Sequence, residues 1–138
     1  MSAESSTRRA VLRWDGGLRF RGGEVGGPEL LLDADGIAAP GPFIALLLAA
    51  GACSGADVVS ILEKMRIELG EVRLELTATR REEHPRRLLA LHLGFHLRGT
   101  GLDEVKARRA IDLSIQKYCS VLASLAPDVA VTHELRLA

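Results

Sequence analysis

Polar and apolar positions change period several times along this chain, and the changes mark its elements. Residues 1–10, MSAESSTRRA, are polar and unpatterned and read as a loose tail ahead of a domain spanning 11–138. Val11–Trp14 and Leu18–Arg21 read as short strands joined through Asp15-Gly16-Gly17, a hairpin signal. A glycine-rich stretch, Gly22 to Pro28, reads as a turn leading to a third strand near Glu29–Leu32. It does not spell GxGxxG and opens no helix, so a phosphate cradle is not indicated. Pro40 and Pro42 introduce a helix, since proline is tolerated in a first turn. Phe43–Ala50 is apolar on every side, which predicts a helix buried all round. Beyond Cys53 the pattern becomes one-sided: Val58, Ile61, Leu62, Met65 and Leu69 form a stripe that should stop at Gly70.

Two period-two stretches follow. Val72, Leu74, Leu76 and Ala78 alternate with Arg73, Glu75, Thr77 and Thr79, and Leu89, Leu91, Leu93, Phe95 and Leu97 alternate with Ala90, His92, Gly94, His96 and Arg98. Each predicts a strand with one face on a core. Asp103 and Glu104 then open a helix, where negative charge suits the helix dipole. Ile111, Ile115, Cys119 and Leu122 fall on one face of it, and Pro127 ends it. Val129–Leu137 alternates again as a closing strand. The fold class is α+β: N-terminal strands, a long buried helix, a two-strand hairpin, a second helix and a C-terminal strand.

Length and charge narrow the function classes. At 138 residues the chain fits one domain, since domains run about 100–200 residues. Eighteen basic and eighteen acidic residues cancel, which gives no basic excess for nucleic acid. No signal peptide is visible behind Arg8-Arg9, and the run Phe43 to Ala50 is too short to span a bilayer, so the expectation is a cytoplasmic protein without membrane partners.

The candidate chemistry lies in two cysteines, Cys53 and Cys119, 66 positions apart. There is no CxxC, so spacing supports neither a zinc site nor a disulfide scaffold. If the helix breaks at Gly51 and restarts, Cys53 sits at a helix N-terminus, where thiolate is favoured. Asp57, one turn on, opposes that ionisation, so a nearby arginine would help. Spacing alone leaves open the bland alternative, buried cysteines acting as small hydrophobes. Gly51-Ala52-Cys53-Ser54-Gly55 also fits a cysteine form of the nucleophile elbow, which requires a strand before it. His92 and His96 share a strand face but lie about 13 Å apart, too far to chelate one metal by themselves. His133 falls on the apolar face of the last strand.

Leu46 to Val59, with Gly-Ala-Cys-Ser-Gly at its centre, and Asp112 to Val121, with Lys-Tyr-Cys-Ser-Val, resemble the two cysteine motifs of the OsmC/Ohr family, the osmotically inducible and organic-hydroperoxide-resistance proteins. The order of elements fits as well. The resemblance implies the OsmC-like fold as an intertwined homodimer with active sites at the subunit interface. It implies a thiol peroxidase in which Cys53 attacks an organic hydroperoxide and Cys119 resolves the sulfenic acid to a disulfide. A dithiol reductant, dihydrolipoyl protein in the best-known members, resets the pair, and no metal or flavin is required. In the family an arginine from the N-terminal strands sits beside the thiolate, a role that Arg19 or Arg21 would fill here. That arginine is held by a glutamate about three helical turns before the first cysteine. This chain has Ile44 there. Ile44 motivates a second expectation, a non-enzymatic member that binds a small apolar ligand at the dimer interface or senses redox state.

Overall fold

The computed structural model describes residues 6–138. The chain divides into two compact units, one running to Leu46 and one from Leu47 to Ala138.

In the first unit, β1 (Ala10–Trp14), β2 (Arg19–Glu24) and β3 (Glu29–Asp33) form an antiparallel meander in that order. The hairpin at Asp15-Gly16-Gly17 forms as expected, closed by the Asp15 amide donating to the Arg19 carbonyl at 2.9 Å. The glycine stretch differs from expectation: Gly22, Gly23 and Glu24 belong to β2, and the turn is confined to the residues after them. Close backbone approach explains glycine there. A Cβ on Gly22 would lie 2.1 Å from the Val11 carbonyl oxygen, and one on Gly23 would lie 2.0 Å from that of Pro28. Arg8 pairs with Glu24 at 2.5 Å, ahead of β1.

Asp33 ends β3 as a buried carboxylate. It accepts backbone N–H groups from Asp35 (3.0 Å), Ile37 (3.3 Å) and Ala38 (2.9 Å), and so shapes the loop into the next helix. The Ala38 amide above all, with those of Asp35 and Ile37 and the charge of Arg19, holds this carboxyl below its usual range against the opposing effect of burial.

Helix α1 (Pro42–Lys64) starts at a proline, as expected. It ends earlier than Gly70 predicts. Arg66 takes the left-handed conformation (φ 63°), the Ile67 amide closes on the Leu62 carbonyl at 3.0 Å, and Gly70 already lies in β4. Nor is the first half of α1 buried all round. Ile44 is 49% exposed and Leu48 50%, and Ala52 and Ala56 continue this open row at four-residue spacing. Among the described residues, α1 is the one helix long and apolar enough to cross a membrane by length and composition, although Phe43–Ala50 is too short by itself. Its packing is that of a helix on a sheet: Gly51 faces Leu76 of β4, and Gly55 faces Leu74.

In the second unit, β4 (Glu68–Arg80) and β5 (Leu88–Thr100) form a long antiparallel hairpin. β6 (Ala130–Leu137) adds to β5 in parallel, giving the order β4-β5-β6. The crossover needed for a parallel pair is helical. It comprises α2 (Glu104–Leu113), one π turn (Ser114–Tyr118) and the short α3 (Ser120–Ala123). Asp103 caps α2, its side chain accepting the Lys106 amide at 2.8 Å. The core is aliphatic around one aromatic: Val58 and Leu62 from α1, Leu91, Leu93, Phe95 and Leu97 from β5, and Ala107, Ala110 and Ile111 from α2 are all buried. Each large side chain there contributes about 1.5–3 kcal/mol of transfer free energy.

Candidate functional site

The second unit brings both cysteines together. Cys53 lies in the middle of α1, which runs unbroken through Gly51. The expected helix start at Cys53 is therefore absent, and so is the activation that a helix N-terminus would supply. An unbroken helix ahead of Gly51 also removes the elbow reading, because that motif needs a strand there. The glycines of Gly51–Gly55 serve packing instead: a Cβ on Gly51 would lie 2.8 Å from Leu76 Cδ1.

Cys119 sits where the crossover changes course. The single second helix expected through Ile111, Ile115, Cys119 and Leu122 is interrupted. The π turn inserts an extra residue, closed by the Cys119 amide donating to the Ser114 carbonyl at 2.8 Å. Cys119 itself is extended (φ −73°, ψ 100°) and caps α3. Its thiol is buried, while that of Cys53 is half-buried.

The two sulfurs and a carboxylate oxygen of Asp57 all lie within 4.8 Å of one another. Asp57 is one helical turn from Cys53, so both project from one face of α1. A buried chain of hydroxyls orders this cluster. Ser114 Oγ donates to Asp57 Oδ2 at 2.9 Å and lies 2.8 Å from Ser54 Oγ. Since the Ser114 proton is directed at Asp57, Ser54 is the donor between the two serines. Both serines are fully buried.

Burial above all, together with the adjacent Cys53 sulfur, pushes the Cys119 thiol up to about 11 against the Leu122 and Val121 amides, which favour thiolate. Cys119 is therefore a neutral thiol near pH 7. Asp57 also borders a cleft of about 410 Å³ lined by Ser60, Ile61, Lys64, Arg109 and Tyr118, among others. An apolar groove of about 430 Å³ runs along the open row of α1, between Leu48, Ala52 and Val59 and the β4 residues Val72, Leu74 and Leu76.

The arginines expected beside the thiolate belong to the first unit. Within it, Arg19 Nη2 donates to the Asp15 carbonyl at 3.0 Å, and Arg21 lies 3.8 Å from the Asp15 carboxylate. The histidines make separate pairs. His92 contacts Thr132 Oγ1 (2.7 Å) and Glu134 (3.3 Å), His96 lies 3.7 Å from Glu75, and His133 lies 3.7 Å from Asp112. Sequence reasoning missed Ser54 and Ser114. Their signal was present: Ser54 stands in phase with Val58 and Leu62, and Ser114 with Ala107, Ala110 and Ile111.

Comparison with known proteins bears on the whole arrangement. The chain is 42% identical over 126 residues to protein YhfA of Escherichia coli K12, covering 91% of this chain and 94% of that one. A hypothetical protein of Aquifex aeolicus superposes with a TM-score of 0.81 at 28% identity, over 96% of this chain and 98% of the other. The organic hydroperoxide resistance protein OhrB of Bacillus subtilis shares the fold, with a TM-score of 0.60 at 19% identity over 94% and 98% of the two chains. The family model described as "OsmC-like protein" matches residues 33–134, which include Cys53, Asp57, Ser114 and Cys119, and the chain belongs to the OsmC-like family.

Proposed function

We propose that this protein is a thiol peroxidase that reduces organic hydroperoxides through Cys53 and Cys119. The observation that carries this reading is the convergence of two sulfurs, 66 positions apart in sequence, within 4.8 Å. Sulfurs that close are neighbours across the fold, and a disulfide between them asks for side-chain rotation that brings them to about 2.05 Å.

The difference between the two thiols supports a division of roles. Cys119 is buried and stays protonated well above neutral pH, which suits a resolving thiol and not an attacking one. Cys53 is the more accessible sulfur. In the first step the Cys53 thiolate attacks the O–O bond. The sulfur takes one oxygen as sulfenic acid, and the other oxygen leaves as alkoxide and is protonated to the alcohol. In the second step the Cys119 sulfur attacks the sulfenic sulfur, giving a disulfide and water. A dithiol, of dihydrolipoyl type by the family resemblance, then takes up the oxidation and returns both cysteines to thiols.

Arg19 or Arg21 is the guanidinium that the family places beside the peroxidatic thiolate. Ile44 offers no carboxylate to hold it, and Asp15 meets both arginines instead. Arg109, in the cleft beside Asp57, is a second source of positive charge near the cluster. The protein acts in the cytoplasm as a homodimer. The open apolar row Ile44, Leu48, Ala52 and Ala56 and the groove beside it supply a surface for a second copy. A compact monomer in sedimentation analysis would count against that assembly.

The test is a brief pulse of cumene hydroperoxide followed by intact-mass spectrometry. Wild type should lose two hydrogens. Cys119→Ser should gain one oxygen on Cys53, because nothing resolves the sulfenic acid. In Cys53→Ser, Cys119 should stay a thiol. Equal slow oxidation of both cysteines, or none, would overturn the peroxidase and leave apolar ligand binding at the interface as the working reading.

A further inference from the structure

We propose that Cys53, Cys119 and Asp57 form a three-ligand site for a thiophilic divalent cation, zinc above all, with a fourth position open to solvent or substrate. The site rests on the geometry of the cluster and does not depend on the peroxidase reading.

Two sulfurs and one carboxylate oxygen are a donor set that zinc accepts, and three protein ligands with one open position is the arrangement of reactive rather than structural zinc. Zinc–sulfur bonds of about 2.3 Å in a tetrahedron hold two sulfurs about 3.8 Å apart, and a carboxylate oxygen stands slightly closer. The three donor atoms already lie within 4.8 Å of one another. Closing the difference asks for movements of at most about 1 Å, within reach of small χ rotations. Cys53 and Asp57 come from one face of α1, and Cys119 from the extended residue between the π turn and α3, so the three donors approach from two sides.

The surroundings match those of a metal ligand set. Ligating carboxylates are ordinarily fixed by an outer hydrogen bond. Here Ser114 Oγ donates to one oxygen of Asp57 at 2.9 Å and is itself buried against Ser54 Oγ. A hydroxyl committed in this way aims the carboxylate at the sulfurs. Access exists as well, because Cys53 and Asp57 are half-buried and Asp57 borders the cleft.

Binding would release the thiol protons to solvent and leave sulfur in its reduced state. Coordination and disulfide formation are then exclusive uses of the same two sulfurs. A bound cation guards the pair against oxidation, and a disulfide abolishes the site.

The experiment uses the full chain, reduced and stripped with a chelator. Zinc is titrated in competition with a chromogenic chelator, and cobalt replaces zinc to report thiolate coordination through its sulfur-to-metal charge-transfer absorption. We expect one zinc per chain, cobalt charge transfer in wild type, and loss of both in Cys53→Ala and Cys119→Ala. Ser114→Ala should bind about ten- to a hundredfold more weakly. Circular dichroism checks each variant's fold. Should Cys119→Ala fail to fold, the half-buried Cys53→Ala decides the matter. Absence of binding in wild type, or equal binding in wild type and Cys53→Ala, overturns the proposal. Peroxide oxidation is read separately on the metal-free protein, so failure of either proposal is distinguishable from failure of the other.

Discussion

Ser114→Ala is the substitution that probes the site's architecture most directly. The hydroxyl is fully buried and makes two close contacts, donating to Asp57 Oδ2 at 2.9 Å and lying 2.8 Å from Ser54 Oγ. Its removal takes a donor from a half-buried carboxylate and an acceptor from a fully buried hydroxyl. A hydrogen bond to a charged group is worth about 1.5–3 kcal/mol, and an unsatisfied buried polar group costs about 1–3 kcal/mol. Water can reach the half-buried Asp57 and recovers part of the first loss. The net expectation is a destabilisation of about 2 kcal/mol.

Urea unfolding at fixed protein concentration measures it. With a slope of about 1–3 kcal/mol/M, the midpoint should fall by about 1 M at unchanged slope. Ser54→Ala completes a double-mutant cycle. Removing both hydroxyls leaves no orphaned serine, so the double variant should be less destabilised than the two single changes added together, with a coupling of about 1 kcal/mol. Strict additivity, or a shift in Ser114→Ala below about 0.5 kcal/mol, would refute the reasoning, since it would mean that the serines do not form one hydrogen-bonded chain.

Three further outcomes follow from the structure. Asp33→Asn keeps one of the oxygens that gather the Asp35, Ile37 and Ala38 amides but loses the charge, and should cost about 1–3 kcal/mol at neutral pH. Because the folded state depresses this carboxyl, its contribution is present above the ordinary carboxylate range and is lost as pH falls toward the folded value. The acid limb of a stability–pH profile should therefore be shallower in the variant. Cys119 has the opposite sign: the folded state retains a proton that the unfolded chain gives up, so stability should fall as pH rises from the usual thiol range toward about 11. Urea midpoints in Cys119→Ser should lack that alkaline decline. Gly22→Ala drives a Cβ to 2.1 Å from a backbone oxygen and should disrupt β1–β2 pairing, while Gly51→Ala meets the movable end of Leu76 at 2.8 Å and should cost about 1–2 kcal/mol; thermal unfolding ranks the two.

Sequence pattern carried the strands, and their faces wherever period two is unbroken; Leu89, expected on the buried face, is exposed and Leu88 buried where the pairing shifts register between Thr79 and Arg80. Leu91, Leu93, Phe95 and Leu97 alternate in the sequence and are buried in the fold. It erred where backbone geometry rather than hydrophobicity decides. Gly70 looks like a helix stop, yet Arg66 supplies the left-handed turn. Gly22 and Gly23 look like a turn, yet their lack of a Cβ is used inside a strand. Phe43–Ala50 looks like a fully buried helix, yet Ile44 and Leu48 lie open, because an apolar pattern states that a surface tends to be covered and not what covers it.

The cysteines illustrate the same division. That Cys53 and Cys119 matter was readable from the motifs around them, but their meeting depends on one extra residue. In an unbroken α-helix the stripe Ile111, Ile115, Cys119 would keep its phase. The π turn from Ser114 to Tyr118 shifts that phase. Ser114, in regular phase with Ala107, Ala110 and Ile111, stays a buried donor to Asp57, and beyond it Cys119 becomes the extended cap of α3 with its sulfur near that of Cys53. Such a turn has no hydrophobic period of its own. It persists because what it places is satisfied: the Cys119 amide reaches the Ser114 carbonyl at 2.8 Å, and the Ser114 hydroxyl reaches a carboxylate. The irregular turn and the sulfur pair are therefore one feature. A substitution that restored regular helix through Ser114 would separate the thiols even with both cysteines intact.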